Sequence, residues 1–146
     1  MYIIEDACHA LGAEYTVNYK RFKIGSCKHA DISTFSLHPI KTITTGEGGI
    51  ITTNSRKIYN KCAAIRSHGI KRLKRHWQYK VSYHGFNFRL NDFQCALGIS
   101  QLSKIKKFLR YRKKIANKYN KLLSNVSEVD TPQNLKKYTS SNHLYI

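Results

Sequence analysis

The chain has 146 residues, with 26 Lys+Arg against 8 Asp+Glu and a formal net charge of +18. Residues 1–55 hold five basic and five acidic side chains, so the whole surplus falls on residues 56–146. A uniformly basic coat is thereby excluded, and no apolar run reaches the roughly 18 residues of a membrane span, while a nucleic-acid-binding second part stays open.

In chain order, the apolar run Tyr2-Ile3-Ile4 predicts a buried strand whose carboxyl end delivers Glu5 and Asp6. Residues 7–13 predict a short helix or turn closing at Gly12. Alternation over 15–24 predicts a hairpin ended by Gly25. Residues 31–36, β-branched and aromatic, predict a second strand. Residues 45–49 form a tight turn, and 49–53 a third strand. Asn54 or Ser55 can cap a helix running to about Arg66, with Ile58, Cys62 and Ile65 on one face and Gly69 past its end. Residues 70–89 read as irregular, aromatic and basic. Asn91 can cap another helix with Phe93, Ala96, Leu97 and Leu102 inward. A long helix follows over about 103–124, with Ile105, Phe108, Leu109, Ile115, Ala116, Tyr119, Leu122 and Leu123 at helical spacing. Pro132 marks a loop, and residues 143–146 predict the start of a strand. Strands alternating with helices give an α/β layer. The strand set is thin and leaves exposed edges, so the chain reads as the middle of a larger protein.

Cys8, Cys27, Cys62 and Cys95 form no C-x-x-C pair, and with His9 and His29 they match no standard metal spacing, so no metal site is expected. The N-terminus lacks a basic n-region and a long apolar stretch. The expectation is a cytoplasmic protein with free thiols.

The chemistry concentrates in Glu5-Asp6-Ala7-Cys8-His9-Ala10, Phe35-Ser36-Leu37-His38-Pro39-Ile40-Lys41 and Gly46-Glu47-Gly48-Gly49. An acid at a strand's carboxyl end lies where α/β sheets bind ligands. His9 can lie over whatever that acid binds. A second strand delivers Ser36, and a proline-stiffened loop delivers Lys41. One carboxylate, one stacking ring, one hydroxyl and one lysine suit pyridoxal 5′-phosphate. The carboxylate keeps the pyridine nitrogen protonated, the lysine forms the imine, and the hydroxyl binds the phosphate. Each residue also has a plainer reading: Asp6 as a turn residue, His9 as a packed ring, Ser36 as a strand end, Lys41 as a solvated lysine.

The blocks E-D-A-C-H-A-L-G-A, I-G-S-C-K-H-A-D-I-S-T-F-S-L-H-P-I-K and T-T-G-E-G-G resemble the DegT/DnrJ/EryC1/StrS sugar aminotransferases. R-S-H-G-I, G-F-N-F-R-L-N-D-F-Q-C-A-L-G-I-S-Q-L and S-S-N-H-L-Y-I continue the resemblance in order. It implies an α/β fold: part of a fold-type I large domain (three-layer α/β/α) over residues 1–103. Residues 104–146 would hold a linking long helix and the start of a truncated small domain. It implies Lys41 as the imine-forming lysine, Asp6 as partner of the pyridine nitrogen, His9 as the stacking ring and Ser36 as a phosphate ligand. Asn87 is implied to reach the phosphate of a neighbouring subunit, which places the site at a homodimer interface.

The implied reaction moves an amino group from L-glutamate to a keto-sugar nucleotide of the UDP-4-keto-6-deoxy-HexNAc type, in amino-sugar or pseudaminic-acid-type glycan synthesis. The chain reads as an interior piece of such an enzyme, inactive alone. Two other readings stand beside it. One is a non-catalytic remnant that pairs with a full-length relative. The other is a nucleic-acid-binding segment, since residues 104–121 hold nine basic side chains and no acid. The solvated face of an amphipathic helix accounts for those charges more simply.

Overall fold

The computed structural model describes residues 1–74, 77–133 and 135–146. Its main sheet joins β1 (Ile4–Asp6), β4 (Ile32–Ser36) and β5 (Gly49–Thr52) in the order β1-β4-β5. Between β1 and β4 in the chain lie β2 (Glu14–Val17) and β3 (Lys20–Lys23), the expected hairpin. Asn18 and Tyr19 turn it with φ of 48° and 61°, the left-handed pair that matches strand twist in a two-residue hairpin loop.

β1 runs parallel to β4, with Glu5 opposite Ser33 and Asp6 opposite Thr34; β5 returns antiparallel. Side chains alternate across a strand. Glu5, Ser33 and Phe35 therefore share one face, and Asp6, Thr34 and Ser36 share the other. On the first face Ser33 is fully buried and donates to Glu5 Oε2, which also accepts from Gly25 N at 3.3 Å. The adjacent acids Glu5 and Asp6 thus serve different ends, Glu5 structural and Asp6 facing the loops beyond the strands.

Helix α1 (Arg56–Arg66) is capped by Ser55, whose hydroxyl accepts from Ile58 N. Past its end, Gly69 takes φ of +68° and its N–H donates to Ala64 O at 2.7 Å. Helix α2 (Asp92–Ser103) starts in a capping box: Asn91 Oδ1 accepts from Gln94 N at 2.9 Å, and Gln94 Oε1 from Asn91 N at 3.2 Å. Helix α3 (Ile105–Leu123) follows with only Lys104 between. Ile105, Phe108, Leu109, Ala116 and Leu123 turn toward the body, while Lys106, Lys107, Arg110, Lys113, Lys114, Lys118 and Lys121 are exposed. Most of the surplus charge on this helix therefore forms a solvated face.

Four local expectations are corrected. The first strand starts at Ile4 rather than Tyr2, and Tyr2, Ile3 and Ile4 are exposed, because β1 is the edge of its sheet. Residues 70–89 are not wholly irregular: β6 (Ile70–Arg72) pairs antiparallel with β7 (Tyr79–Val81), while Arg75 and His76 of that stretch lie outside the described residues. On α2, Phe93, Ala96, Leu97 and Leu102 are exposed, since α2 packs by its other positions: a Cβ on Gly98 would stand 2.9 Å from Thr45 Cγ2. Residues 143–146 form no strand. The late strand is β8 (Tyr138–Thr139), which pairs with β2 to give the order β3-β2-β8. The buried apolar core is small: Ala7, Phe35, Leu37, Ile43 and Ala116.

Candidate active site

Because β1 and β4 are parallel, their carboxyl ends open on the same side, and the loops carrying the candidate residues leave from there. After Asp6 the chain turns at once. Ala7 N pairs with Thr34 O, Ala10 N with Ala7 O and Ala13 N with Ala10 O, each at 2.9 Å. This is the turn form of the two local shapes expected for residues 7–13. Ala7 is buried and fixes the turn to the sheet. Gly12 (φ +88°) lies under Leu109 of α3, where a Cβ would stand 2.5 Å from Leu109 Cδ1.

Asp6 Oδ1 accepts from Cys8 N at 3.1 Å. Hydrogen bonds from the Cys8 thiol and the Cys8 amide hold the Asp6 carboxyl below its ordinary value, and the nearby His9 and Lys41 add to this. In return, donation to Asp6 pushes the Cys8 thiol up, with burial second. Asp6 is therefore a carboxylate throughout the neutral range.

Lys41 lies in the loop between β4 and β5. Leu37 N bonds Gly48 O at 2.8 Å and Thr45 N bonds Leu37 O at 3.0 Å, which closes the loop at its base. Thr42, Ile43 and Thr45 are buried and pin the loop from beneath. Lys41 N itself bonds His38 O at 2.9 Å, and the Lys41 side chain is half-buried. His38 and Glu47 stand 3.8 Å apart across the loop mouth, an ion pair only when the histidine is protonated. Ser36 ends β4 on the Asp6 face. Its Oγ accepts from His38 N at 3.3 Å, which leaves the hydroxyl proton free to donate.

The structure thus brings Asp6, His9 and Lys41 together, close enough for both neighbours to act on the carboxylate, with Ser36 on the same face. Asn87 is elsewhere. It bridges to Ser67 at the end of α1, in a segment held by Phe86 N to Ile65 O at 2.8 Å and Phe88 N to Arg66 O at 2.9 Å.

One residue was missed. His143 is buried, and its ring lies against that of His9 with centroids 4.4 Å apart. Burial first, then His9, Lys41 and Arg112, hold His143 below its ordinary value of 6.5. The sequence signal for it is the S-S-N-H-L-Y-I block, which by spacing alone assigns its histidine no role.

These residues fit pyridoxal 5′-phosphate. An ionised carboxylate suits a protonated ring nitrogen, an exposed imidazole face suits stacking, a hydroxyl with an uncommitted proton suits a phosphate, and a half-buried lysine acts on the same carboxylate. A cleft of about 610 Å³ adjoins the lysine loop at Thr42 and is bordered by Phe108, Tyr111, Lys107, Arg110 and Arg112. Cys8, Cys27, Cys62 and Cys95 are free thiols, and no helix among the described residues is long and apolar enough to cross a membrane.

The model of the DegT/DnrJ/EryC1/StrS aminotransferase family matches residues 1–146. The chain is 44% identical over 144 residues to a UDP-4-amino-4,6-dideoxy-N-acetyl-beta-L-altrosamine transaminase of Campylobacter jejuni subsp. jejuni serotype O:23/36 (strain 81-176), covering 98% of the chain and 36% of that relative. Helicobacter pylori PseC, an aminotransferase involved in the biosynthesis of pseudoaminic acid, superposes with a TM-score of 0.89 at 39% identity, over 99% of this chain and 37% of that one. Spr1654 from Streptococcus pneumoniae, in its PLP form, superposes with a TM-score of 0.85 at 28% identity, over 99% of this chain and 36% of that one. The chain therefore spans little more than a third of the length of the relatives it matches. Its architecture is that of part of a fold-type I aminotransferase, and the chain belongs to the DegT/DnrJ/EryC1/StrS aminotransferase family.

Proposed function

We propose that this chain carries the lysine-bearing half of a pyridoxal-phosphate site, which moves an amino group from L-glutamate to a keto-sugar nucleotide of the UDP-4-keto-6-deoxy-HexNAc type. The observation that carries the reading is the convergence of Asp6, His9 and Lys41 at the carboxyl ends of two parallel strands. The substrate class rests on the likeness to the altrosamine transaminase.

When bound, pyridoxal 5′-phosphate supplies an electrophilic carbonyl and a ring that takes up the electrons of a broken C–H bond. The protein's own groups do the rest. Asp6, kept ionised by the two Cys8 donors, holds a proton on the ring nitrogen. His9 covers one ring face. Ser36 donates its free hydroxyl proton to the phosphate. The Lys41 amine would act as the base that takes a proton from the amino acid's α-carbon and gives it to the cofactor's C4′ carbon, across the intervening nitrogen, and the keto sugar would run the same transfer in reverse. Asn87, far from Asp6 in this chain, is proposed to act on the phosphate of a second subunit in a homodimer. Residues 1–103 are proposed as the large-domain part and 104–146 as the linking helix and entry to the small domain.

A compact monomer of this length exposes roughly 7,700 Å², whereas the chain exposes 11871 Å². Phe93, Ile99 and Leu102 of α2, Ile4 of β1 and Tyr2 and Ile3 just before it are among the bare apolar side chains. This supports a reading in which further protein covers these faces and turnover needs it. Brief exposure of the chain to equimolar pyridoxal 5′-phosphate, borohydride reduction and peptide mass mapping tests the site. Modification is expected to concentrate on Lys41, with no release of 2-oxoglutarate from glutamate and sugar nucleotide. Modification spread evenly over the exposed lysines of α3 overturns the site, and turnover by the chain alone overturns its need for further protein.

A further inference from the structure

His143 comes from the far end of the chain, yet it backs the residue nearest the proposed cofactor face. Its ring meets the His9 ring at 4.4 Å with the planes tilted by 43°. It is 8% exposed, and neither ring nitrogen has a hydrogen-bond partner among the described residues. Burying a polar group without a partner is unfavourable, a cost that a leucine or phenylalanine of similar size would not incur. A ring held there at that cost is poorly explained as filler.

The backbone around it is tightly held. Arg112 donates to Asn142 O at 3.2 Å and to His143 O at 3.0 Å. Ser141 Oγ donates to His9 O at 2.9 Å. Asn142 takes φ of 50° with its N–H on Ser140 Oγ. Tyr145 donates to Asn120 on α3 and lies against Tyr119. The segment is therefore fixed both to the long helix and to the His9 turn, and the two imidazoles are set against each other by parts that cannot slide independently.

We propose that His143 is a positioning residue for His9, a back wall that fixes the tilt of the His9 ring so that its other face is presented to the cofactor. The proposal rests on the reading of His9 as the stacking residue. Every charged or titratable group that acts on His143 is a base: His9, Lys41 and Arg112. Burial and these neighbours hold the His143 ring toward its neutral form, so it backs His9 without adding a positive charge beside Lys41. It also ties the site to α3 and to the start of the proposed small domain, so movement of that segment would reach the cofactor through one ring.

Two variants of the full chain test this. His143→Leu keeps the volume and removes the ring, whereas His143→Phe keeps a ring. Without cofactor, the His9 Cε1–H resonance is followed by NMR. It is expected to lose its ring-current shift in H143L and to keep most of it in H143F. With pyridoxal 5′-phosphate, the visible circular dichroism of the bound cofactor is compared at equal Lys41 labelling. A severalfold loss is expected in H143L, with recovery in H143F. An unmoved His9 resonance in folded H143L, or unchanged dichroism at equal labelling, overturns the proposal. Absence of Lys41 labelling in the unaltered chain overturns the cofactor reading and His9's role with it, while the resonance still reports the ring contact separately.

Discussion

Gly85 is where the backbone segment carrying Asn87 crosses the end of α1, and its replacement by alanine has a calculable effect. A Cβ at this position would stand 2.2 Å from Gly69 N, 2.5 Å from His68 C and 2.9 Å from Ile65 O, against an ordinary contact that begins at 3.4 Å. All three neighbours are backbone, so no side chain can swing aside. Relief requires the segment to withdraw by roughly 1 Å, since van der Waals repulsion rises steeply inside contact distance. Such a shift breaks the bonds His68 N to Phe86 O and Phe86 N to Ile65 O, both 2.8 Å, and Phe88 N to Arg66 O, 2.9 Å. Three bonds at a net ~1 kcal/mol each give about 3 kcal/mol. The opposing gain from a stiffer unfolded chain is about 0.4–1 kcal/mol, so a loss near 2 kcal/mol is expected. Urea unfolding measures it, and hydrogen exchange at the Phe86 and Phe88 amides localises it. Gly46→Ala is the control: no atom lies within 4 Å of its Cβ, so only the strain of φ +82° is felt there. An unfolding midpoint for G85A equal to or above that of the unaltered chain would refute the reasoning.

Asp6 and Cys8 form a second testable pair. Donation to Asp6 raises the Cys8 thiol, and the thiolate is the nucleophile, so Cys8 is expected to alkylate slowly and exposed Cys95 quickly. In Asp6→Asn the charge is gone, the thiol value falls, and Cys8 alkylation at neutral pH is expected to rise; mass-resolved iodoacetamide rates check it, and an unchanged or slower rate contradicts the pairing. His143 sets a pH dependence. Its folded value lies below 6.5, so between the two values the unfolded chain binds more protons, and stability falls as pH drops below about 6.5 through the folded value. His143→Phe is expected to flatten that part of the urea-midpoint profile between pH 7 and 5; an identical profile would place the dependence elsewhere.

Local signals were legible where local chemistry decides. Ser55 and Asn91 could be read as caps because a side-chain oxygen three residues before an amide needs no distant partner. The strands β4 and β5 followed from β-branched runs around a glycine turn. What distant partners decide was not legible. Tyr138–Thr139 is a strand only because β2 offers an edge to it. The β6–β7 hairpin lies in a stretch whose aromatic and basic residues show no alternation. The inward face expected on α2 followed from apolar residues alone, whereas its packing is made through other positions such as Gly98 against Thr45. Asp6, His9, Ser36 and Lys41 were singled out from spacing and resemblance, and the parallel pairing of β1 with β4 explains how they meet. His143 escaped notice because its importance lies in one ring contact across the length of the chain.

That contact also bears on the order of folding. The hydrogen bond from Ser141 to His9 closes a separation of 132 positions. Local contacts such as the β2–β3 hairpin form in about 1–10 μs, while a contact between residues so far apart in sequence forms later. The turn bearing His9 can form early and remains without its back wall until Ser141 and His143 dock onto it. The entropic cost of a long loop grows slowly, by about 0.6 kcal/mol per doubling. The delay is therefore one of kinetics more than of stability, and the histidine pair would report a late, long-range closure of the fold.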